Sequence, residues 1–231
     1  MIKSIGNLFR SLKEETLALI NSPQFRAIPP EVQAANRQQI NELKAQGAES
    51  HALGVGAQAL DFELDSVSGR RVRLSGELTR GPVVLTFYRG KWCPFCNLQL
   101  KSLQRVVDAF KEQGASLLAI SPQTLEASRE LYAGGTPDFE LLSDPGNATA
   151  AAYGLAYRIS SELQNALGLM GLDLAALNGE AAETLPIGAT YVVAPNGRIA
   201  YAFVDADFTN RPEPADILAA LRALNAQKYL Y

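Results

Sequence analysis

Phe87-Tyr88-Arg89-Gly90-Lys91-Trp92-Cys93-Pro94-Phe95-Cys96-Asn97-Leu98-Gln99-Leu100 is the stretch that decides how this 231-residue chain folds. Just upstream, Pro82 to Tyr88 is almost continuously apolar, as a strand buried on both faces would be. Downstream, Pro94 suits a first helical turn, and the spacing predicts a helix to Gln113 that stops at Gly114. The two cysteines of the chain sit where strand hands over to helix. At about 100° per residue, Cys96, Leu100, Leu103, Val107 and Phe110 share one apolar stripe, which turns Cys96 toward the core. Cys93 falls just before the helix or at its first residue, where the chain is expected to surface.

Position then separates the two thiols. A thiolate at a helix N-terminus faces unpaired N–H groups and the positive end of the dipole, so its pKa falls. Arg89 and Lys91 add positive potential. A core-facing Cys96 stays protonated until it attacks. An exposed nucleophile beside a sheltered resolving thiol is what a dithiol redox pair needs, and side chains three apart on a helix can close a disulfide. The expected catalytic residues are therefore Cys93, Cys96 and Arg89. A zinc site would need further ligands, but there is no second cysteine pair and His51 is the sole histidine, so neither metal nor cofactor is expected. Trp92 reads as a partly exposed cover for the thiols, and Arg70-Arg71-Val72-Arg73 as a solvated hairpin.

Composition sets the wider frame. Hydrophobic residues make up 47% and charged residues 19%, ordinary for a globular chain with a real core. The net charge of −3 and the lack of a basic half argue against a nucleic-acid partner. No apolar run approaches membrane-spanning length, and charges interrupt every apolar stretch of the first 20 residues, so neither membrane insertion nor a signal peptide is expected. Two cysteines separated by two residues do not make a secreted disulfide scaffold, and a cytoplasmic location is expected.

Outward from the motif, residues 1–50 read as a helical N-terminal extension, with Leu8, Leu12, Leu17 and Ile20 on one face and a second helix from Pro30 to Gly47. It would lie on the main domain or on the partner subunit of a homodimer. Residues 51–231 read as the main domain. Short strands at Asp61–Leu64 and Val72–Leu74 form a hairpin, followed by the strand at residues 82–88 and its helix. Next come a strand at Leu117–Ile120, a helix from about Gln123 to Tyr132, a strand at Phe139–Leu142 and a short helix to Tyr153. An insertion spans about 158–185. Thr190–Val193 and Ile199–Val204 flank Pro195-Asn196-Gly197, a hairpin in which Asn-Gly tolerates positive φ at both turn positions. A last helix covers about Glu213–Leu224. A parallel βαβα unit closed by an antiparallel hairpin and a helix fits an α/β thioredoxin-like fold, a central mixed sheet flanked by helices.

The segment Tyr88–Cys96 resembles the active site of the peroxiredoxin-like branch of the AhpC/TSA family, within the thioredoxin-like superfamily. The resemblance extends over about residues 54–224. Ala59-Leu60-Asp61-Phe62, Ala119-Ile120-Ser121-Pro122, Leu142-Ser143-Asp144-Pro145, Tyr153-Gly154-Leu155 and Ala189–Val193 with Gly197 agree with it. It implies a thiol peroxidase that reduces hydrogen peroxide or organic hydroperoxides and is re-reduced by thioredoxin or a similar dithiol donor. Two departures stand out. Against the family pattern PxxxTxxC, a gapless match puts Arg89 on the Pro, Cys93 on the Thr and Cys96 on the peroxidatic cysteine. Matching on Trp-Cys-x-x-Cys, as in thioredoxins, makes Cys93 the nucleophile, and the helix argument favours Cys93. The family also carries an arginine just before the hairpin strand, where this chain has Gly188 and thioredoxins have a cis-proline, with Pro186 two residues early. Peroxide activation would then lack one donor, for which Arg89 could substitute. The rival readings are a thiol–disulfide oxidoreductase acting on proteins through the same residues, and a non-catalytic thioredoxin-like binding module with vestigial thiols.

Overall fold

The computed structural model describes residues 10–131, 137–179 and 182–227. Leu8 and the expected helix end at Tyr132 lie outside them. Nine strands are described: β1 Glu63–Ser66, β2 Arg71–Arg73, β3 Val83–Phe87, β4 Ser116–Ser121, β5 Glu140–Ser143, β6 Ala156–Arg158, β7 Thr184–Pro186, β8 Gly188–Val193 and β9 Ile199–Asp205. The helices are α1 Leu12–Ile20, α2 Pro23–Arg26, α3 Pro30–Ala45, α4 Leu74–Leu78, α5 Pro94–Gln104, α6 Val107–Glu112, α7 Leu125–Leu131, α8 Ala148–Ala152, α9 Ser161–Leu169, α10 Leu174–Asn178 and α11 Pro214–Gln227.

Seven strands form one mixed sheet in the order β2-β1-β5-β4-β3-β8-β9. β3, β4 and β5 run parallel, while β8 pairs antiparallel with β3 and β9 with β8. All five residues of β3 are buried, as its apolar run requires. Its side chains alternate: Val83, Leu85 and Phe87 enter one core with Tyr153 and Tyr191, and Val84 enters the other with Leu103, Phe110, Ile217 and Leu221. Thr86, on the second face, bonds Thr190 Oγ1 at 2.9 Å, and Gln99 Nε2 of α5 donates to both hydroxyls. That polar knot fixes the active-site helix against β3 and β8 at one register.

Two local expectations are corrected. The single helix to Gln113 is two, because the chain leaves helical geometry at Val106 (φ −119°, ψ 4°), beside the β-branched Val107. The apolar stripe survives the break, with Leu100, Leu103, Val107 and Phe110 all buried. In the hairpin turn, only Gly197 takes positive φ, at 81°. Pro195 fixes φ near −65° and so excludes the mirror-image turn with positive φ at both centres. The chain makes a turn from Ala194 to Gly197 instead, closed by Gly197 N–H to Ala194 O at 2.8 Å.

The extension lies on its own chain. Ser11 caps α1, and the Glu213 carboxylate accepts from Leu12 N–H at 3.0 Å and Lys13 N–H at 2.8 Å. Arg105 of the loop after α5 pairs with Glu15 at 2.8 Å. α3 packs on α9, where Val32 and Ala35 join Leu163, Ala166 and Leu167 in a core of their own. The segment at 158–185 is a two-stranded β6–β7 ribbon closing around α9 and α10.

Candidate active site

The parallel strands end where β3 delivers Tyr88–Trp92 to the start of α5, the edge at which sheets of this kind bind ligands. The loop is held from both sides: Lys91 N–H donates to Gln123 Oε1 at 2.6 Å, and Asn97 Nδ2 to Lys91 O at 2.6 Å. Cys93 is the residue capping α5 and Cys96 lies in its first turn. Both are free thiols.

Cys93 does not surface. It is 1% exposed and Cys96 0%, because Phe95, Trp92, Phe208 and, from the extension, Leu19, Ile20 and Phe25 close over the pair. Phe95 meets the ring of Phe25 edge-on at 5.6 Å and that of Phe208 at 5.7 Å. Sequence position alone could not reveal a cover made of segments 70 and 113 residues away.

Burial and charge act differently on the two thiols. Burial raises the Cys93 pKa well above the usual thiol range, and the neighbouring Cys96 sulfur raises it further. Cys96 is equally buried, which raises its pKa, but the Cys93 S–H bond, the Arg211 charge, the Arg89 backbone N–H and the Arg89 charge together bring it down to about 5. The surroundings therefore favour the charged form at Cys96 over Cys93.

Arg211 is the residue that sequence reasoning missed. Its Nη2 lies 3.2 Å from Cys96 Sγ, and its Nε donates to Phe208 O at 3.0 Å. Carboxylate and hydroxyl bonds shape the loop before it, with Asp205 accepting from Asp207 N–H and Asp207 from Thr209. The guanidinium stands where a side chain at Gly188 would project: a Cβ there would meet Arg211 Cζ at 3.1 Å. The lack of a side chain at Gly188 was the one sequence signal, and it pointed to no particular filler.

Arg89 is where expected, at the strand end beside Cys93, but it is only 2% exposed and forms no ion pair among the described residues. Its guanidinium is stacked between Trp92, at 4.7 Å from the ring centre, and Phe208, at 4.2 Å. It hydrogen-bonds Tyr157 and Cys93, while Nε and Nη2 meet no protein acceptor. Lys91 points instead to Glu130, at 3.4 Å. Trp92 is partly buried over the pair, His51 is exposed, and Arg70, Arg71 and Arg73 pair with carboxylates around the β1–β2 hairpin.

A mixed sheet of this order, with two thiols at the strand–helix junction and two arginines facing them, defines a thioredoxin-like thiol oxidoreductase. The AhpC/TSA family model matches residues 55–202, and the chain belongs to that family. A putative peroxiredoxin of Mycobacterium tuberculosis is 27% identical over 171 residues, covering 74% of this chain and 97% of the relative. Chloroplastic peroxiredoxin Q of Oryza sativa subsp. japonica is 30% identical over 148 residues, 64% of this chain and 58% of its own. Thiol-disulfide oxidoreductase ResA of Geobacillus kaustophilus is 33% identical over a shorter 85 residues, 37% and 48% of the two chains. The crystal structure of Mycobacterium tuberculosis peroxidoxin BcpB superposes with a TM-score of 0.57 at 24% identity, covering 74% and 97%, a likeness of fold. Family and relatives make this chain a peroxiredoxin-type thiol peroxidase.

Proposed function

We propose that Cys96 is the sulfur that attacks peroxide and Cys93 the one that resolves it. The observation that carries this reading is the Arg211 guanidinium 3.2 Å from Cys96 Sγ, opposite a Cys93 thiol that also donates to it. The Cys96 thiolate attacks the terminal oxygen of the peroxide. The S–O bond forms as the O–O bond breaks, Cys96 becomes a sulfenic acid, and the departing alkoxide or hydroxide takes a proton. Arg211 and Arg89 face the charge that develops on the oxygens. Cys93 then attacks the sulfenic sulfur, the S–S bond forms and water leaves. A thioredoxin-type dithiol returns the disulfide to two thiols, which suits a reducing compartment such as the cytoplasm.

A protein disulfide as substrate fits less well. Sulfurs that are 1% and 0% exposed meet no disulfide on another protein surface unless the cover opens, and a peroxide asks for a far smaller opening. Vestigial thiols would not need a buried Arg89 and a half-buried Arg211 that form no ion pair among the described residues.

The test is peroxide consumption coupled to thioredoxin and its reductase. One equivalent of peroxide added to the reduced protein is expected to remove two mass units per monomer and to leave a monomer on non-reducing gels, since no third cysteine exists. A disulfide-linked dimer overturns the Cys93–Cys96 resolution step. Arg89→Lys keeps the charge but loses the fork, and is expected to lower kcat/KM for peroxide about tenfold or more while changing thiol alkylation far less. Unchanged peroxide kinetics would remove Arg89 from the mechanism.

A further inference from the structure

Part of the cover over the thiols is a short piece of the extension. Residues 12–26, α1 and α2, lie against α5 and place Leu19, Ile20 and Phe25 on the pair. Helices of nine and four residues do not persist alone in water, so this segment stays in place through its attachments. Glu213 accepts from Leu12 N–H and Lys13 N–H at its start, Glu15 pairs with Arg105, and the Phe25 ring meets Phe95 at its end. The next element, α3, is fixed by the core it shares with α9. Beside Phe25 lies a cavity of about 220 Å³, with Val32 and Met170 in its walls and Arg89 and Cys93 at its floor, so the end of the segment is not close-packed on that side.

The hold at Glu213 is tied to the sulfur chemistry. Arg211, whose Nη2 lies 3.2 Å from Cys96 Sγ, stands between Phe208 and Glu213, and its Nε donates to Phe208 O at 3.0 Å. The Phe208 ring lies 4.2 Å from the Arg89 guanidinium and 5.7 Å from the Phe95 ring. One loop therefore carries the guanidinium beside Cys96, a ring of the cover and the carboxylate that holds α1. We propose that residues 12–26 are a redox-controlled strap, closed over the thiols while Cys96 is charged and released through the loop at 208–213 once Cys93 and Cys96 have joined in a disulfide. Release gives the reducing dithiol access to sulfurs that the reduced protein keeps covered. The proposal rests on the reading that Cys96 carries the negative charge of the reduced pair.

The trigger is a change in charge balance. When Cys93 attacks the sulfenic sulfur and water leaves, a neutral disulfide stands where a thiolate faced two guanidinium groups. Arg89 and Arg211 form no ion pair among the described residues, so both then lack a counter-charge. Arg89 is 2% exposed, and its Nε and Nη2 have no protein acceptor. A buried charge without a partner is among the costliest groups a fold holds, and water offsets that cost. Water reaches the guanidinium groups when Phe208 and the strap move aside. A loop that moves carries Glu213 with it and undoes the hold on α1.

Hydrogen–deuterium exchange read by mass spectrometry tests this on the full chain, reduced and after oxidation by diamide, with a loss of about two mass units confirming the disulfide. Diamide oxidises the pair whether or not peroxide does, so failure here is separate from failure of the peroxidase reading. Amides of residues 12–26 are expected to exchange about tenfold faster in the oxidised protein, the scale of one hydrogen bond to a charged group, while residues 30–45 and 94–104 keep their rates. Glu213→Ala removes both acceptors at the start of α1. It is expected to give fast exchange at residues 12–26 in both redox states and to raise iodoacetamide alkylation of the reduced protein about tenfold. Equal exchange of residues 12–26 in reduced and oxidised wild type overturns the strap. Acceleration confined to residues 94–104 marks fraying of the active-site helix and overturns it equally. A Glu213→Ala protein with wild-type exchange and alkylation removes the hold on which release depends. The wild-type comparison stands even if that variant fails to fold.

Discussion

Arg211→Ala is expected to lower peroxide kcat/KM about a hundredfold at pH 6, through two separable effects. The first is ionisation. Arg211 is among the groups that hold Cys96 near a pKa of about 5, so the wild-type profile should be level above about pH 6 and fall as pH drops through 5 and the thiolate is protonated. Removing an adjacent opposite charge raises a pKa by about one to three units. A rise to about 7 would leave roughly a tenth of the enzyme ionised at pH 6. The second effect, about another tenfold, is the lost donor in the transition state. At pH 9 the first effect vanishes and the second remains, so the pH profile tells them apart. Gly188→Ala should act in the same direction with Arg211 itself retained, because the added Cβ displaces its guanidinium. If Arg211→Ala moves neither the acid limb nor the high-pH plateau, Arg211 has no part in the chemistry.

The larger loss should come from the cysteines, and it should be asymmetric. Cys96→Ser is expected to abolish peroxide reduction, by about a thousandfold or more, and to leave Cys93 as a thiol that alkylates slowly at pH 7, since burial raises its pKa. Cys93→Ser should keep a readily alkylated thiol on Cys96. The serine hydroxyl can still donate to that sulfur, and one peroxide equivalent should leave a trappable sulfenic acid instead of a disulfide. Iodoacetamide rates against pH, followed by intact mass after a dimedone trap, distinguish the two. Rapid alkylation of Cys93 in the Cys96→Ser variant would restore the ranking that helix position alone suggests.

Helix position and burial pull the Cys93 thiol in opposite directions. The dipole and free N–H groups at the start of α5 favour a thiolate there, and Cys93 does cap the helix. That argument assumes solvent on the far side. Phe25 and Phe208, from segments distant in sequence, remove the solvent, and burial then outweighs the dipole at Cys93. Cys96 is as deeply buried, but the Cys93 hydrogen bond and the Arg211 guanidinium within hydrogen-bonding distance lower its pKa.

By itself the sequence determined what depends on neighbours along the chain. The apolar run at Val83–Phe87 made a central strand, the spacing of Cys96, Leu100 and Leu103 turned one face of α5 inward, and Arg89 had to emerge at the strand end beside the thiols. Periodicity and local connectivity suffice for these, since strand and helix geometry repeat at fixed intervals. Only the tertiary structure decided what stands over the two sulfurs and which arginine lies beside Cys96. Cys96 and Arg211 are 115 residues apart, and the cavity wall at Phe25–Val32 meets a floor at Arg89–Cys93 only because α3 packs on α9 and Glu213 anchors α1. Electrostatics and desolvation act through space and follow no period along the chain, so those features became visible only once the chain had folded.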